Sequence, residues 1–302
     1  MTLDLIKNAI VLGSVYLLFS TGFTLVFGSF RVMNLAHGAI MTLGAFVGIY
    51  ADNVLQLPIW LTLVIAAVGA GAGNAFLDAA ILRPISRQTA SLQSDEDLNP
   101  LVITLSFSTI VLGLLVQTVK AVDFTFKQAQ LLAKPVHIGT LTISGLDIAI
   151  MLCAALMTGL LHFVIARTRA GMSVRAVAED RAMASALGVR PNLVSAATFF
   201  VSGAMAGVCG VLVGIIYSNV NVTIGDHLLL FGFVIITVGG LGSLAGTCIA
   251  AYLVAFVQSI ANMFFKDAAV DLIVFGVLFL TLLLRPNGIL GKNVLSAGMI
   301  RK

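Results

Sequence analysis

Charge is what this 302-residue chain has least of. Asp, Glu, Lys and Arg make up 10% of it, against 59% hydrophobic residues and a mean hydropathy of +1.08. A soluble domain carries about 25% charged residues, so there is too little charge to coat a water-exposed surface. Soluble enzymes, coiled coils and disordered chains are excluded, and most of the surface must face lipid. Cysteine is scarce as well: Cys153, Cys209 and Cys248 lie far apart in apolar runs, with no CxxC or Cys/His cluster. Neither a disulfide framework nor a metal site is indicated. No GxxxxGK[ST] motif occurs, and Gly240-Leu-Gly-Ser-Leu-Ala-Gly246 lacks the lysine of a phosphate loop. His37, His137, His162 and His227 have no carboxylate or nucleophile at motif spacing, so no catalytic residue is assigned. The net charge of +4 is read by position, as a membrane signal, and not as a sign of nucleic acid.

What is present is a series of charge-free runs: 8–30, 32–51, 53–77, 98–119, 148–166, 191–225, 227–265 and 272–284. A bilayer core of ~30 Å takes about 20 helical residues. The run 227–265 is too long for one crossing and breaks near Gly240, and 272–284 reaches span length if Asp271 occupies its first turn. The expected fold is therefore all-α, a single polytopic domain over 1–302 with about eight or nine transmembrane helices, discontinuous segments and duplicated halves. MTLDLIKN has no basic n-region and no small-residue cleavage site follows, so the first run is expected as a retained span.

Arginine sets the orientation. Nine of ten arginines fall at 83–87, 167–190 and 285–301, while Lys120, Lys127, Lys134 and Lys266 fall between other spans. Basic residues collect on the cytoplasmic side, which puts 167–190 and the C-terminal end inside and 120–147 outside. Two counts stay open: nine spans with the N-terminus outside, or eight with it inside if 32–51 is re-entrant.

Irregular backbone at membrane depth is tolerated only where protein or a water-filled cavity surrounds it. Two such places are expected, Gly28–Gly38 and Gly239–Gly246, in opposite halves of the chain. A faint echo between Leu35-Ala-His-Gly and Leu244-Ala-Gly fits paired discontinuous helices lining a path. Asn34, His37 and Gly38 in the first, and Gly242 and Ser243 in the second, are pathway candidates, with Ser106 and Thr109 as pore-lining hydroxyls. Asn34 and His37 have an alternative role, bonding freed backbone groups. Asp78 is expected to meet water at an inner helix end.

The segment 167–190 is polar, Ala-rich and flanked by long apolar runs. Asp180 caps a short helix that Gly188 ends, and Ser173 is expected to cap another carrying Arg175 and Glu179 at i,i+4. Met183, Ala184 and Leu187 form a small apolar face beside Arg181. An isolated two-turn helix is unstable in water, so the expectation is docking into a groove on a cytosolic partner.

Several of these segments together resemble one family. Gly22-Phe-Thr-Leu-Val-Phe-Gly28 with Arg31-Val-Met-Asn-Leu-Ala-His-Gly38 and Leu43-Gly-Ala-Phe46 is similar to the first-span signature of LivH-type permeases of bacterial branched-chain amino acid ABC importers. Arg83-Pro with Asn99-Pro-Leu-Val-Ile-Thr-Leu-Ser106, Arg175-Ala-Val-Ala-Glu-Asp180 through Val189, Gly239-Gly-Leu-Gly-Ser243, and Leu284-Arg-Pro-Asn-Gly-Ile-Leu-Gly291 follow in the family's order. The acidic stretch Ser91–Asp97 departs from the pattern. The resemblance implies a permease in the bacterial inner membrane that pairs with a second, homologous permease or a second copy of itself. It also implies two cytosolic ATPases, which hold ATP and Mg, and a periplasmic binding protein. This chain itself would hold no cofactor. The same architecture serves urea, amides and aromatic acids, so the substrate stays open. An ion-coupled carrier is the rival, but such proteins place charges within spans, and these spans are nearly free of them; a passive solute channel is a second.

Overall fold

A computed structural model of the chain describes residues 2–85, 98–119, 125–126, 135–138 and 141–291. The acidic stretch 91–97, and Arg87, Lys120, Lys127, Lys134, Lys292, Arg301 and Lys302, lie outside the described residues.

The apolar runs form helices α1 (Thr2–Phe30), α2 (His37–Asn53), α3 (Ile59–Phe76), α4 (Leu98–Val119) and α5 (Gly145–Arg167). Two short amphipathic helices follow, α6 (Arg169–Glu179) and α7 (Arg181–Ala186), then α8 (Pro191–Ile216), α9 (Ile224–Gly239), α10 (Leu244–Phe264) and α11 (Asp267–Leu284). A π-helical turn, Leu77–Leu82, continues α3, and a two-stranded antiparallel hairpin, Pro135–Ile138 with Leu141–Ser144, precedes α5. Six helices, α1, α3 with its continuation, α4, α5, α8 and α10, are long and apolar enough to cross a bilayer. The 17 residues of α2 and 16 of α9 span only about 24–26 Å, because each is part of a crossing whose remainder is unwound.

The order of packing reveals an inverted duplication. α1 runs antiparallel to α10, through Ser14 with Tyr252, Thr24 with Thr247, and Gly28 against Gly242. In the same way α8 runs antiparallel to α3, through Ser195 with Asp78, Phe199 with Asn74, and Gly203 against Ala70. α2 packs on α3 and α8, and α9 packs on α10 and α1. The sequence α1-α2-α3-α4 thus matches α8-α9-α10-α11 with direction reversed, and α5 joins them. α1 and α8 form the centre, with 83% and 78% of their apolar windows buried, whereas α4 and α5, at 17% each, are peripheral.

Among the described residues the contacts favour the count of nine crossings. Lys7 pairs with Asp147 at 3.6 Å, putting the start of α1 on the face where α5 begins. Asn53 at the end of α2 donates to the Thr125 carbonyl on that same face. Basic asymmetry makes this face the outer one, so α1 starts outside and α2 completes a crossing.

Several expectations change. The partner of the first break is not the glycine turn. Gly240 and Gly242, at φ +101° and +81°, make a tight reversal from α9 to α10. The second unwound stretch is 217–223, inside the run 191–225 that was read as one span. Its Ser218-Asn-Val-Asn-Val-Thr223 is turn chemistry without formal charge, and Ser218 takes φ +51°. Asp271 sits a turn later than expected, since α11 begins at Asp267. Ser173 lies inside α6, whose cap is Thr168, accepting from the Gly171 amide. His37 is the first residue of α2 and Gly28 is still within α1, so the break itself is 31–36. Asp78 is 3% exposed, its carboxylate taken up by Arg83 and Ser195 at the edge of an inner cavity and not standing free at a helix end.

Candidate translocation elements and coupling face

The unwound stretch 31–36 is held by side chains that replace its missing helical partners. Arg31 turns the chain with φ +54°. Thr104 of α4 accepts from the Leu35 amide at 3.2 Å. Asn34 accepts from the Ala36 amide at 3.2 Å and donates to Asn74 Oδ1 at 3.0 Å. Asn74 in turn donates to the Phe199 carbonyl of α8 at 2.8 Å. Buried backbone groups must be paired, and in lipid water is not there to do it.

His37 is fully buried. Its Nε2 donates to the Phe19 carbonyl at 3.1 Å, midway along α1, and its ring stacks on Phe23. The start of α2 therefore lies at mid-depth. There it meets the start of α9: Gly225 donates to Thr42 Oγ1 at 3.2 Å, and a Cβ on Gly38 would lie 2.5 Å from the Gly225 carbonyl. Two half-helices of opposite direction thus abut by their N-termini, bringing two partially positive helix ends together. Asn34, His37 and Gly38 are gathered here and occupied by bonds and contacts within the chain.

The other pathway candidates lie elsewhere. Ser106 and Thr109 are exposed on the outward face of α4, their hydroxyls returning to the Val102 and Leu105 carbonyls at 2.8 and 3.0 Å. Gly242 presses on Gly28, and Ser243 caps α10 by accepting from the Gly246 amide at 3.1 Å. The C-terminal motif closes over this turn: the amides of Ile289 and Leu290 donate to the Val238 and Gly239 carbonyls, the last of α9, at 2.8 and 3.1 Å. An outer cavity of about 530 Å3 opens between α1, α8, α9 and α10, lined by Asn8, Tyr16, Tyr217, Leu228 and Asn262 among others.

The inner face carries the short helices. Asp180 ends α6 and caps α7, its Oδ1 accepting from the Met183 amide at 2.9 Å. Gly188, at φ +86°, closes α7 with the Val189 amide returning to the Ala184 carbonyl. Arg181 donates to Asn192 Oδ1 at 2.9 Å, and the Arg175 guanidinium donates to the Ile165 carbonyl, not to Glu179. The expected apolar triplet divides: Ala184 is buried beneath the helix, while Met183 and Leu187 point outward, 61% and 79% exposed. The sequence did not show that Asp78 in the π-turn meets Arg83, just past that turn, and Ser195 at the start of α8. They border an inner cavity of about 520 Å3 that also touches Glu179 and Arg181. A charge inside an apolar run, as at Asp78, was the signal available. Among the described residues no group of His, Cys, Asp and Glu could hold a metal ion.

A nine-crossing inverted repeat with two opposed interrupted helices, and a capped polar elbow on its basic face, is the build of a multi-pass membrane transport protein. The chain belongs to the family described as branched-chain amino acid transport system / permease component, whose model matches residues 5–283. It is 28% identical to the high-affinity branched-chain amino acid transport system permease protein BraD of Pseudomonas aeruginosa, over 96% of both chains. It is also 28% identical to LivH of Escherichia coli K12, a permease protein of the same description, over 94% of each. A probable LivH of Methanocaldococcus jannaschii is 24% identical, over 96% of this chain and 92% of its own. Among solved structures, a chain of PsaBC from Streptococcus pneumoniae in complex with Fab aligns over 93% of this chain and 95% of its own, with TM-score 0.50 at 13% identity, a likeness of fold alone. The protein is thus a permease component of a transport system.

Proposed function

We propose that this chain is the permease subunit of an ATP-driven importer of branched-chain amino acids, paired with a second permease or a second copy of itself, with two cytosolic ATPases and one extracytoplasmic binding protein. The observation that carries the coupling is α7: two turns of helix, capped at both ends by its own residues, offering Met183 and Leu187 to the cytosol where nothing among the described residues covers them. Leucine, isoleucine and valine are taken as substrates because BraD and LivH are named for that transport.

The path lies between two permeases and not within one. Ser106 and Thr109, with Gly113 a turn further on, form a small polar strip on a helix with few contacts inside its own chain. A second subunit laid against that strip gives a zwitterion hydroxyls and backbone dipoles on both sides, and no fixed charge to trap one end. Asn34 and His37 serve this path indirectly, by holding the interrupted crossing in shape. ATP-driven closure of the ATPases moves α7 and alternates access.

The test is reconstitution of the chain with its partner permease, ATPases and binding protein in vesicles. ATP-dependent uptake of leucine, competed by isoleucine and valine, is expected. Uptake competed instead by urea, amides or aromatic acids would reassign the substrate. Uptake that continues without ATP and collapses with an uncoupler would mark an ion-coupled carrier.

A further inference from the structure

The carboxylate of Asp78 is buried, and its two oxygens serve different elements. Oδ1 accepts from Ser195 Oγ at 2.8 Å, and Oδ2 accepts from Arg83 Nε at 2.9 Å and pairs with the same guanidinium through Nη2. Four residues earlier, Asn74 donates to the carbonyl of Phe199, which lies four residues after Ser195. Two polar rungs, one helical turn apart, therefore join α3 and its π-turn to the first turns of α8. The upper rung continues to Asn34 and the unwound stretch 31–36. The lower rung starts at Ser195, just beyond Pro191, where the chain leaves α7.

Holding two helices together does not require this. A buried ion costs several kcal/mol to desolvate and is often replaceable by apolar packing. The rest of the α3–α8 contact is already close-packed, with Gly203 and Gly207 against Ala70 and Ala66. π-turns inside helices are frequently found at functional sites. The neighbouring inner cavity, bordered by Asp78, Arg83 and Ser195 and also by Glu179 and Arg181 of the α6–α7 elbow, leaves room for that elbow to shift against the π-turn.

We propose that the Asp78–Ser195 bond, backed by Arg83, is the transmission link between the docking helix α7 and the interrupted crossing, so that Asp78 and Ser195 are positioning residues for coupled transport. A push on α7 moves the start of α8. The Ser195 rung passes that displacement to the π-turn, and the Asn74 rung passes it to 31–36 and the start of α2. This rests on the ATP-driven reading above.

The experiment compares Ser195→Thr with Ser195→Val, two side chains of nearly equal shape that differ in the hydroxyl, in the fully reconstituted transporter. The readout is ATP hydrolysed per solute moved. Thr is expected to keep the wild-type ratio. Val is expected to raise it about tenfold, the weight of one hydrogen bond to a charged group, with ATPase binding unchanged. Equal ratios for Thr and Val would overturn the link, as would failure of either variant to assemble, since the rung would then serve folding alone. A wild-type complex that moves solute without ATP sinks the ATP-driven reading itself, whereas a normally coupled Val variant sinks only this link.

Discussion

Leu187 offers a quantitative test of docking. It is 79% exposed, so nearly the whole side chain is available for burial in a partner groove. Burying a leucine side chain yields roughly 1.5–3 kcal/mol, and for the exposed share about 2 kcal/mol is reasonable. Leu187→Ala should therefore weaken ATPase binding by about 30-fold. Leu187→Asp loses the same contact and puts an unpaired carboxylate in the groove, adding a few kcal/mol. Together the effect is about 4 kcal/mol, roughly a thousandfold. The permease should fold normally in both cases, because Leu187 closes α7 through its backbone, its amide donating to the Met183 carbonyl at 3.1 Å. Titration of purified ATPases onto the permease in nanodiscs reads the affinity directly, with thermal unfolding of the permease alone as control. Equal affinity for wild type and Leu187→Asp would refute docking through this helix, and an Ala effect as large as Asp would refute the burial estimate.

Sidedness is tested by cysteine labelling in a background lacking the native cysteines. Asn8→Cys should react with an impermeant maleimide from outside intact cells, and Met183→Cys only after permeabilisation; the reverse pattern would invert the topology. His37→Phe keeps a flat ring on Phe23 but loses the bonds to the Phe19 carbonyl and Ser202. A loss of about 1–3 kcal/mol in stability is expected, measured as a lower Tm, and an unchanged Tm would show that the bond does not hold the break. Two glycine substitutions should behave oppositely. A Cβ on Gly203 would sit 2.6 Å from the Ala70 carbonyl oxygen and the Asn74 Cβ, whereas Gly113 has nothing within 4 Å. Gly203→Val should abolish accumulation in the membrane. Gly113→Val should leave the monomer's Tm unchanged while weakening pairing with the second permease in cross-linking, and intact pairing would remove α4 from the interface.

Much of this architecture was legible because lipid makes charge an expensive marker. Runs bounded by Asp, Glu, Lys and Arg located most of the crossings, and arginine clusters gave the orientation that the labelling of Asn8→Cys and Met183→Cys tests. The cap at Asp180 and the stop at Gly188 were readable because each needs a particular residue type at a particular place. What escaped had no such marker. The second interruption, 217–223, is built from Ser, Asn and Val, which a cut at formal charges passes over, so α8 and its unwound continuation looked like one span. The glycine turn drew attention as the counterpart of the first break because glycine is conspicuous, yet its glycines serve close approach: Gly240 and Gly242 admit the tail at Asn287–Gly291 and the backbone of Gly28.

Distance along the chain hid the rest. Asp78 looked like a helix-end acid awaiting water because its partners, Arg83 five residues on and Ser195 more than a hundred away, meet it only once α3 and α8 are packed. The same holds for Asn34, whose polar neighbour Asn74 comes from another helix. Partners of this kind come from different elements, and the sequence presents them separately. The inverted duplication supplies the missing constraint. If α1 to α4 repeat as α8 to α11, every interruption must have an inverted mate. An unwound stretch before α2 then requires one before α9, and Ser218–Thr223 stands there once the packing shows that α8 is the counterpart of α1.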